Sequence, residues 1–330
     1  MGETDVGYNR DNYARIREMY ETKYKIAQDA ADARRAETQA RIPGLAEIDL
    51  LISSVGMRIM AEALGSGENC ADKIAQIRSD TEKLRAQKEQ MLVAAGYPAD
   101  YTDVKYECEK CSDSGFVDGY MCECMKRELV MAGYESSGIA NLLRTQSFDT
   151  FSLDYYKNNP EAYRLMSMNF EYLKSYAENF RGRGSENILL MGGTGLGKTH
   201  LSSAVAKRVI ERGYDVYYVS AINMLSNFEY QRFGNSMSSE VESTDRCFDC
   251  DLLIIDDLGT EITNQFSISV IYNLINTRLN TGKPTVVSTN LTQSELRQRY
   301  SDRITSRIFG EYRPMVFKGV DVRAQKIKMK

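Results

Sequence analysis

The 330 residues include one histidine, His200, no tryptophan and only five prolines. With a single histidine, a Ser-His-Asp arrangement could be built only around His200, and nothing in the sequence supports one there. No apolar run approaches the ~18 residues that a membrane-crossing helix needs. The opening segment is polar and has no apolar stretch of the secretory kind. The expectation is therefore a cytoplasmic protein with no membrane partner. Seven cysteines are too few to make a chain of this length a disulfide scaffold. There is no long internal repeat and no low-complexity tract.

The composition that remains is that of a globular protein, 42% hydrophobic and 27% charged. It is enough for a sizeable core, and the length suggests roughly two domains. The net charge of −4 is unevenly spread. Residues 1–150 hold 19 basic and 26 acidic side chains, whereas residues 151–330 hold 23 and 20. An acidic front and a basic back fit a two-part protein whose back half meets phosphate; a solvated tail is the plainer reading.

Residues 8–41 contain neither glycine nor proline and read as one long helix, broken at Ile42-Pro43-Gly44. Pro43 suits the first turn of the next helix. Leu45, Ile48, Ile52, Val55 and Ile59 then recur at 3–4 spacing. Beyond a turn at Gly65-Ser66-Gly67, Ile74, Ile77, Thr81, Leu84, Lys88 and Met91 continue the seam. Such a repeat indicates a helical hairpin or short coiled coil, the core of a small bundle, or a surface for a partner's helices. From Asn187 short apolar runs alternate with helical stretches, the rhythm of a parallel α/β sheet. Asn159-Pro160 reads as a helix start, with the helix running to about Phe180. The domain expectation is a helical partner-binding region at 1–100, a cysteine module at 101–126, a linker at 127–158 and an α/β domain at 159–330.

Gly192-Gly193-Thr194-Gly195-Leu196-Gly197-Lys198-Thr199 matches G-x-x-x-x-G-K-[ST] between a strand and a helix, the context that the motif requires. Glycines let successive backbone N–H groups turn in on phosphate, and the helix N-terminus adds a favourable dipole. Lys198 would serve the β- and γ-phosphates of ATP, and the Thr199 hydroxyl would ligate Mg²⁺. His200, in the next turn, either packs the helix or lies near phosphate, and it is grouped with the nucleotide-binding residues. Asp251–Asp257 is an apolar strand ending in two carboxylates. Asp256 would hold Mg²⁺ and Asp257 would orient the attacking water. Glutamate is commoner at the second position, so slow turnover is expected. Glu261 is a reserve for that role or a cap for the following helix. Asn290 ends another strand, Thr285–Asn290, and fits a γ-phosphate sensor. Thr292-Gln293-Ser294-Glu295 reads as a capping box. Arg303 and Arg307 share a helix face, with Gly310 as its stop. Arg307, then Arg303, is the candidate arginine finger toward a neighbouring subunit.

Cys108-x2-Cys111-x10-Cys122-x-Cys124 places four thiols in a short span around Gly115 and Gly119. Four thiolates in tetrahedral geometry favour structural Zn²⁺. Cys247 and Cys250 have no matching second pair and read as small buried hydrophobes, and Cys70 reads similarly.

Four stretches together resemble bacterial replicative helicase loaders of the DnaC/DnaI type, in the DnaC/IstB branch of AAA+ ATPases. They are GGTGLGKT at 192–199, DLLIIDDLGTE at 251–261, STN at 288–290 and RITSRI at 303–308. The stretch Ser147–Phe151 is similar to the segment that such proteins place near the adenine. The resemblance implies a parallel-sheet AAA+ domain behind a helical N-terminus and a zinc module. It also implies a hexameric replicative DNA helicase as partner, single-stranded DNA as ligand, ATP/ADP as the nucleotide, self-assembly on ATP, and release of the loader on hydrolysis. Arg313 and Arg323 are candidates for a further nucleotide-sensing arginine, though neither sits on a clear helix. Phe228, Tyr230, Arg232 and Phe233 are candidate DNA contacts. An IstB-like transposition helper and an ATP-binding switch with negligible hydrolysis are the competing readings.

Overall fold

A computed structural model describes residues 8–64, 70–233 and 244–328. The chain divides into two compact units, one of Arg17–Cys122 and one formed by the residues up to Ile16 together with those from Glu123 on. The Gly65-Ser66-Gly67 turn and the side chains of Cys70 and Phe233 lie outside the described residues.

In the Arg17–Cys122 unit, the long helix α1 (Arg10–Arg41, entering from the other unit) is followed by α2 (Leu45–Ser53), α3 (Val55–Leu64) and α4 (Cys70–Ala94). The 3–4 seam is what packs: α4 lies along both α2 and α3, with Leu45, Ile48, Ile77 and Thr81 buried. Lys88 pairs with Asp49 at 2.7 Å with both side chains mostly covered, so the charged seam position is satisfied. Pro43 is not in the first turn of α2. Gly44 precedes that helix at φ 83°, a left-handed conformation suited to glycine. The unit closes with a hairpin, β1 (Phe116–Val117) and β2 (Tyr120–Met121). Its two-residue turn, Asp118-Gly119, has positive φ at both positions, the type I′ geometry that Asp-Gly favours.

The larger unit is a parallel α/β domain. Its entry helices are α5 (Glu123–Ser136) and α6 (Ala140–Thr145), so the stretch expected to be a linker is largely helical. α7 (Pro160–Glu178) starts where Asn159 accepts from the backbone N–H groups of Glu161 and Ala162, both at 3.1 Å, with Pro160 first in the helix. There follow β3 (Asn187–Met191), α8 (Lys198–Glu211), β4 (Val216–Ser220), α9 (Ala221–Phe233), α10 (Asp245–Asp249), β5 (Leu252–Leu258), α11 (Gln265–Asn280) and β6 (Thr285–Thr289). The end of the domain is α12 (Gln293–Arg299), α13 (Asp302–Glu311), β7 (Tyr312–Val316) and α14 (Val322–Lys328). Thr292 and Glu295 form the expected capping box. Gly310 does not stop α13, which runs through it to Glu311.

The five-stranded sheet has the order β4-β5-β6-β3-β7, with every pairing parallel. Strand residues alternate between two apolar layers. Ile188, Leu190, Ile254 and Val286 face α7 and α8. Leu189, Leu253, Ile255 and Val287 face the opposite layer, with Ile271, Leu274 and Ile308. Cys247 and Cys250 are buried in that second layer, beside the fully buried Arg278. Its guanidinium is satisfied without a carboxylate, donating to the carbonyls of Cys247, Cys250 and Pro284 at 3.0, 3.1 and 2.7 Å. The order matters for function because β6 lies between β5 and β3. The C-terminal ends of all three therefore converge beside the loop that precedes α8.

Candidate nucleotide site and cysteine centre

Gly192–Gly197 links β3 to α8, and two of its positions need glycine in particular. Gly192 has φ 151°, and a Cβ there would lie 2.5 Å from the Phe317 carbonyl oxygen. Gly195 has φ 75°, and a Cβ there would meet the Asp321 carboxylate at 2.1 Å. Leu196 is buried and anchors the loop, while Gly193 and Thr194 are exposed at its tip. The Leu196 carbonyl accepts from the Tyr156 hydroxyl at 2.9 Å.

Lys198 is 5% exposed. Its ammonium donates to the carbonyls of Gly192 and Gly193 at 2.6 and 2.8 Å, and to Asn290 Oδ1 at 2.7 Å. Burial lowers its pKa, while Asp257 and Asp256 oppose that shift. The Thr199 hydroxyl donates to Asp256 Oδ2 at 3.1 Å. Asp256 is buried, and its other oxygen accepts from Ser288 on β6. Asp257 departs from the strand: its φ is 55°, and the β5–β6 register shifts between Ile255 and Leu258. A non-glycine residue in that region stores strain of order 1–3 kcal/mol. The bulge lets consecutive carboxylates face the same loop instead of opposite sides of the sheet. Ser288 Oγ accepts from the Asp257 N–H at 2.9 Å. Asn290 Nδ2 donates to Asp257 Oδ1 at 3.3 Å. Burial, then the neighbouring Asp256, raises the Asp257 pKa. The structure thus brings Lys198, Thr199, Asp256, Asp257 and Asn290 into one hydrogen-bonded group.

Glu261 does not belong to that group, nor does it cap α11, whose cap is Asn264. It is buried, accepts from the Gly259 N–H at 2.8 Å and from the Tyr300 hydroxyl, and so holds the loop after β5 against α12. Arg303 is exposed, whereas Arg307 is half-buried against its own chain. Arg307 donates to Asn276 Oδ1 at 3.0 Å and to the Tyr272 hydroxyl at 3.1 Å, with its guanidinium 4.8 Å from the Tyr272 ring centre. Arg313 lies on β7, paired with Glu186 at 3.2 Å. Arg323, by contrast, does sit on a helix, α14, and its charge reaches Lys198 and Asp257 electrostatically. α14 is tied to the phosphate loop by the Val322 N–H, which donates to the Gly195 carbonyl at 3.0 Å. Of the candidate DNA contacts, Phe228 turns inward onto Phe248, whereas Tyr230 is 41% exposed and Arg232 lies over the Phe266 ring.

His200 joins α8 to the segment before α7. Its Nε2 lies 3.0 Å from the Ser147 carbonyl oxygen, which can only accept, so Nε2 carries the hydrogen. The ring packs edge-on against Phe151, which stacks on Tyr156 and Phe170. Burial lowers the His200 pKa and nearby Lys326 adds to this, against the Ser147 hydrogen bond. The unfolded state therefore binds more protons than the folded state just below the ordinary histidine pKa of about 6.5. This contribution to stability is present at higher pH and is lost as pH falls toward the depressed value. The only histidine in the chain gives a single Cε1–H resonance, whose NMR titration midpoint is expected below about 6.5. A midpoint at or above that value contradicts the burial.

The four cysteines of 108–124 come together, with all their sulfurs within 4.8 Å of one another. Cys108 and Cys122 Sγ are 3.9 Å apart. A tetrahedral site with metal–sulfur bonds of about 2.3 Å has edges of about 3.8 Å, so the donor set fits a zinc ion. The first knuckle is shaped by Asp113, buried at φ 54°, which accepts from the N–H groups of Glu107 and Cys108 at 2.9 and 2.8 Å.

A phosphate loop and two acidic strand-end residues on an all-parallel sheet define the class: a P-loop ATPase domain of the AAA+ kind. More particularly, residues 169–309 match the family model described as IstB-like ATP binding protein. The chain is 26% identical over 172 residues to the replicative helicase loader DnaC of Buchnera aphidicola subsp. Baizongia pistaciae, covering 52% of this chain and 66% of that protein. It is 26% identical over 135 residues to the replicative helicase loader DnaC of Escherichia coli K12, covering 41% and 54%. The alignment thus spans about half to two-thirds of these relatives' length. A solved structure titled "Crystal structure of the DnaC helicase loader" covers 54% of this chain and 99% of its own, at 20% identity and TM-score 0.44. No helix among the described residues is long and apolar enough to cross a membrane.

Proposed function

We propose that the protein is an ATP-driven loader of a bacterial replicative DNA helicase, acting in the cytoplasm. The carrying observation is the match of its ATPase segment to relatives named as helicase loaders. The helical hairpin and four-thiol module ahead of that segment support the reading, because a compact transposition helper has no need of such an arm. Residues 1–100 are the helicase-binding region, 101–126 a zinc module, 127–158 the connection and 159–330 the ATPase.

In this reading the 192–199 loop cradles the phosphates of ATP or ADP and Lys198 neutralises them. Thr199 and Asp256 present oxygens to Mg²⁺, which supplies charge neutralisation when bound. Asp257 orients the attacking water and Asn290 senses the γ-phosphate. The shorter Asp257 side chain makes turnover slow. His200 and the Phe151 segment line the base side. The domains self-assemble on ATP and bind single-stranded DNA, with Tyr230 and Arg232 as stacking and phosphate contacts.

Arg307, or Arg303 beside it, reaches a neighbouring subunit's nucleotide as a finger. Arg307→Ala should leave ATP binding within about twofold while removing the rise of specific ATPase activity with protein concentration, a loss of about a hundredfold or more at saturation. Unchanged activity at high concentration would mean that Arg307 serves only its own chain, through Tyr272 and Asn276.

The loader reading is tested by native mass spectrometry of the full chain mixed with the replicative helicase of its own source, with and without ATP. A defined complex supports it. Its absence under every nucleotide condition favours the IstB-like helper, which the family description keeps as the second reading, and makes a transposase the next partner to test.

A further inference from the structure

We propose that the Tyr218 hydroxyl is a positioning residue for the Asp256 carboxylate, and that it sets how strongly the site takes up magnesium with ATP. Tyr218 lies on β4, beside β5, where Ser220 is the register partner of Asp256. Its phenol reaches along the strand to the carboxylate and donates to Asp256 Oδ2 at 2.8 Å. The ring is 4% exposed, within the apolar layer beneath α8. A carboxylate can only accept, so the one phenolic hydrogen is committed to Asp256. The remaining lone pairs of the phenol face the Ser202 hydroxyl at 2.9 Å, which is itself fully buried on α8 one turn beyond Thr199.

Three hydroxyls therefore converge on Asp256. Thr199 and Tyr218 meet Oδ2, and Ser288 meets Oδ1. Thr199 has a second task in presenting its oxygen to Mg²⁺. Ser288 also holds the backbone of Asp257. Besides Asp256, the Tyr218 hydroxyl meets Ser202 and Ser203, neither of them a candidate magnesium ligand, so orienting Asp256 is its distinct contribution. A carboxylate rotated out of place by a few tenths of an ångström presents the wrong lone pair to a small ion with strict octahedral geometry. Residues that hold a ligand side chain typically change metal affinity by about 10- to 100-fold when removed. The effect is expected at the lower end here because Ser288 remains.

This inference rests on the nucleotide-site reading, and its test separates the two. A fluorescent ATP analogue is titrated into the full chain at graded Mg²⁺ and, separately, in EDTA, for the wild type, Tyr218→Phe and Ser202→Ala, with melting temperatures measured alongside. Tyr218→Phe should raise the half-saturating Mg²⁺ concentration about tenfold. Its nucleotide affinity in EDTA should stay within about twofold of wild type. Ser202→Ala should shift the Mg²⁺ requirement in the same direction by less, and it carries the test by the same criterion if the phenylalanine variant does not fold. An unchanged Mg²⁺ requirement overturns the positioning role. So does an equal loss of affinity with and without Mg²⁺, which marks a purely structural hydroxyl. A wild-type chain that binds nucleotide in neither buffer overturns the nucleotide site itself and this inference with it.

Discussion

Lys198→Ala is expected to lower ATP affinity by at least about a hundredfold, because it removes charge-assisted contacts that contribute about 1.5–3 kcal/mol each. The geometry explains why so much rests on one side chain. The ammonium is already held at the mouth of the loop, between the Gly192 and Gly193 carbonyls and Asn290. It is therefore preorganised where phosphate oxygens would enter, and little side-chain entropy is lost on binding. Burial disfavours its charge while two carboxylates favour it, and an entering phosphate would favour that charge further. Equilibrium binding of a labelled ATP analogue, with a thermal melt to show that the variant is folded, measures the effect. A folded variant with unchanged affinity contradicts the assignment of the phosphate loop.

The cysteine centre carries the second large effect. The native chain should contain about one equivalent of zinc, and changing Cys108 and Cys111 together to serine should abolish retention of the metal. Zinc in small four-ligand modules carries apparent binding free energies of about 10–16 kcal/mol. The apolar content of this segment is too small to replace that. The hairpin is two residues per strand, and the knuckle depends on Asp113 in a left-handed conformation, a backbone state that is costly without the bound ion. Loss of the metal should therefore unfold the 104–125 segment, seen as new rapidly exchanging amides there, while the ATPase segment keeps its protection. Native protein without zinc, or a double variant that retains it, would overturn the site.

The residues of the candidate nucleotide site were legible as a group because their requirements are local. Backbone amides around phosphate need glycines at set intervals, and a buried parallel strand needs an unbroken apolar run, as in Leu252–Ile255. The helix starts at Asn159 and Thr292 were readable for the same reason, since a cap is a relation between neighbours. What escaped depends on tertiary partners. β7 reads Tyr-Arg-Pro-Met-Val, with three of its five residues exposed; it is a strand because it lies at the sheet edge beside β3, where proline is tolerated. α14 has too short a pattern to announce itself, and it exists against the phosphate loop through Val322 and Gly195. Glu261 looked like a reserve catalytic carboxylate because its spacing from Asp257 suggested it. Only the fold shows that Gly259 and Tyr300 occupy it. Tyr218 gave no signal at all: in sequence it is one more apolar strand residue, and its hydroxyl acquires meaning only when β4 is laid beside β5.

The central claim is that this chain uses ATP to place a ring-shaped helicase on DNA. The most direct measurement mixes the replicative helicase of the same source with closed single-stranded DNA circles, with and without this protein and MgATP, and quantifies the helicase that co-elutes with the circles. The account predicts stable helicase on the circles only when both the protein and ATP are present, and none with Lys198→Ala. Equal recovery of helicase on the circles without the protein would contradict it.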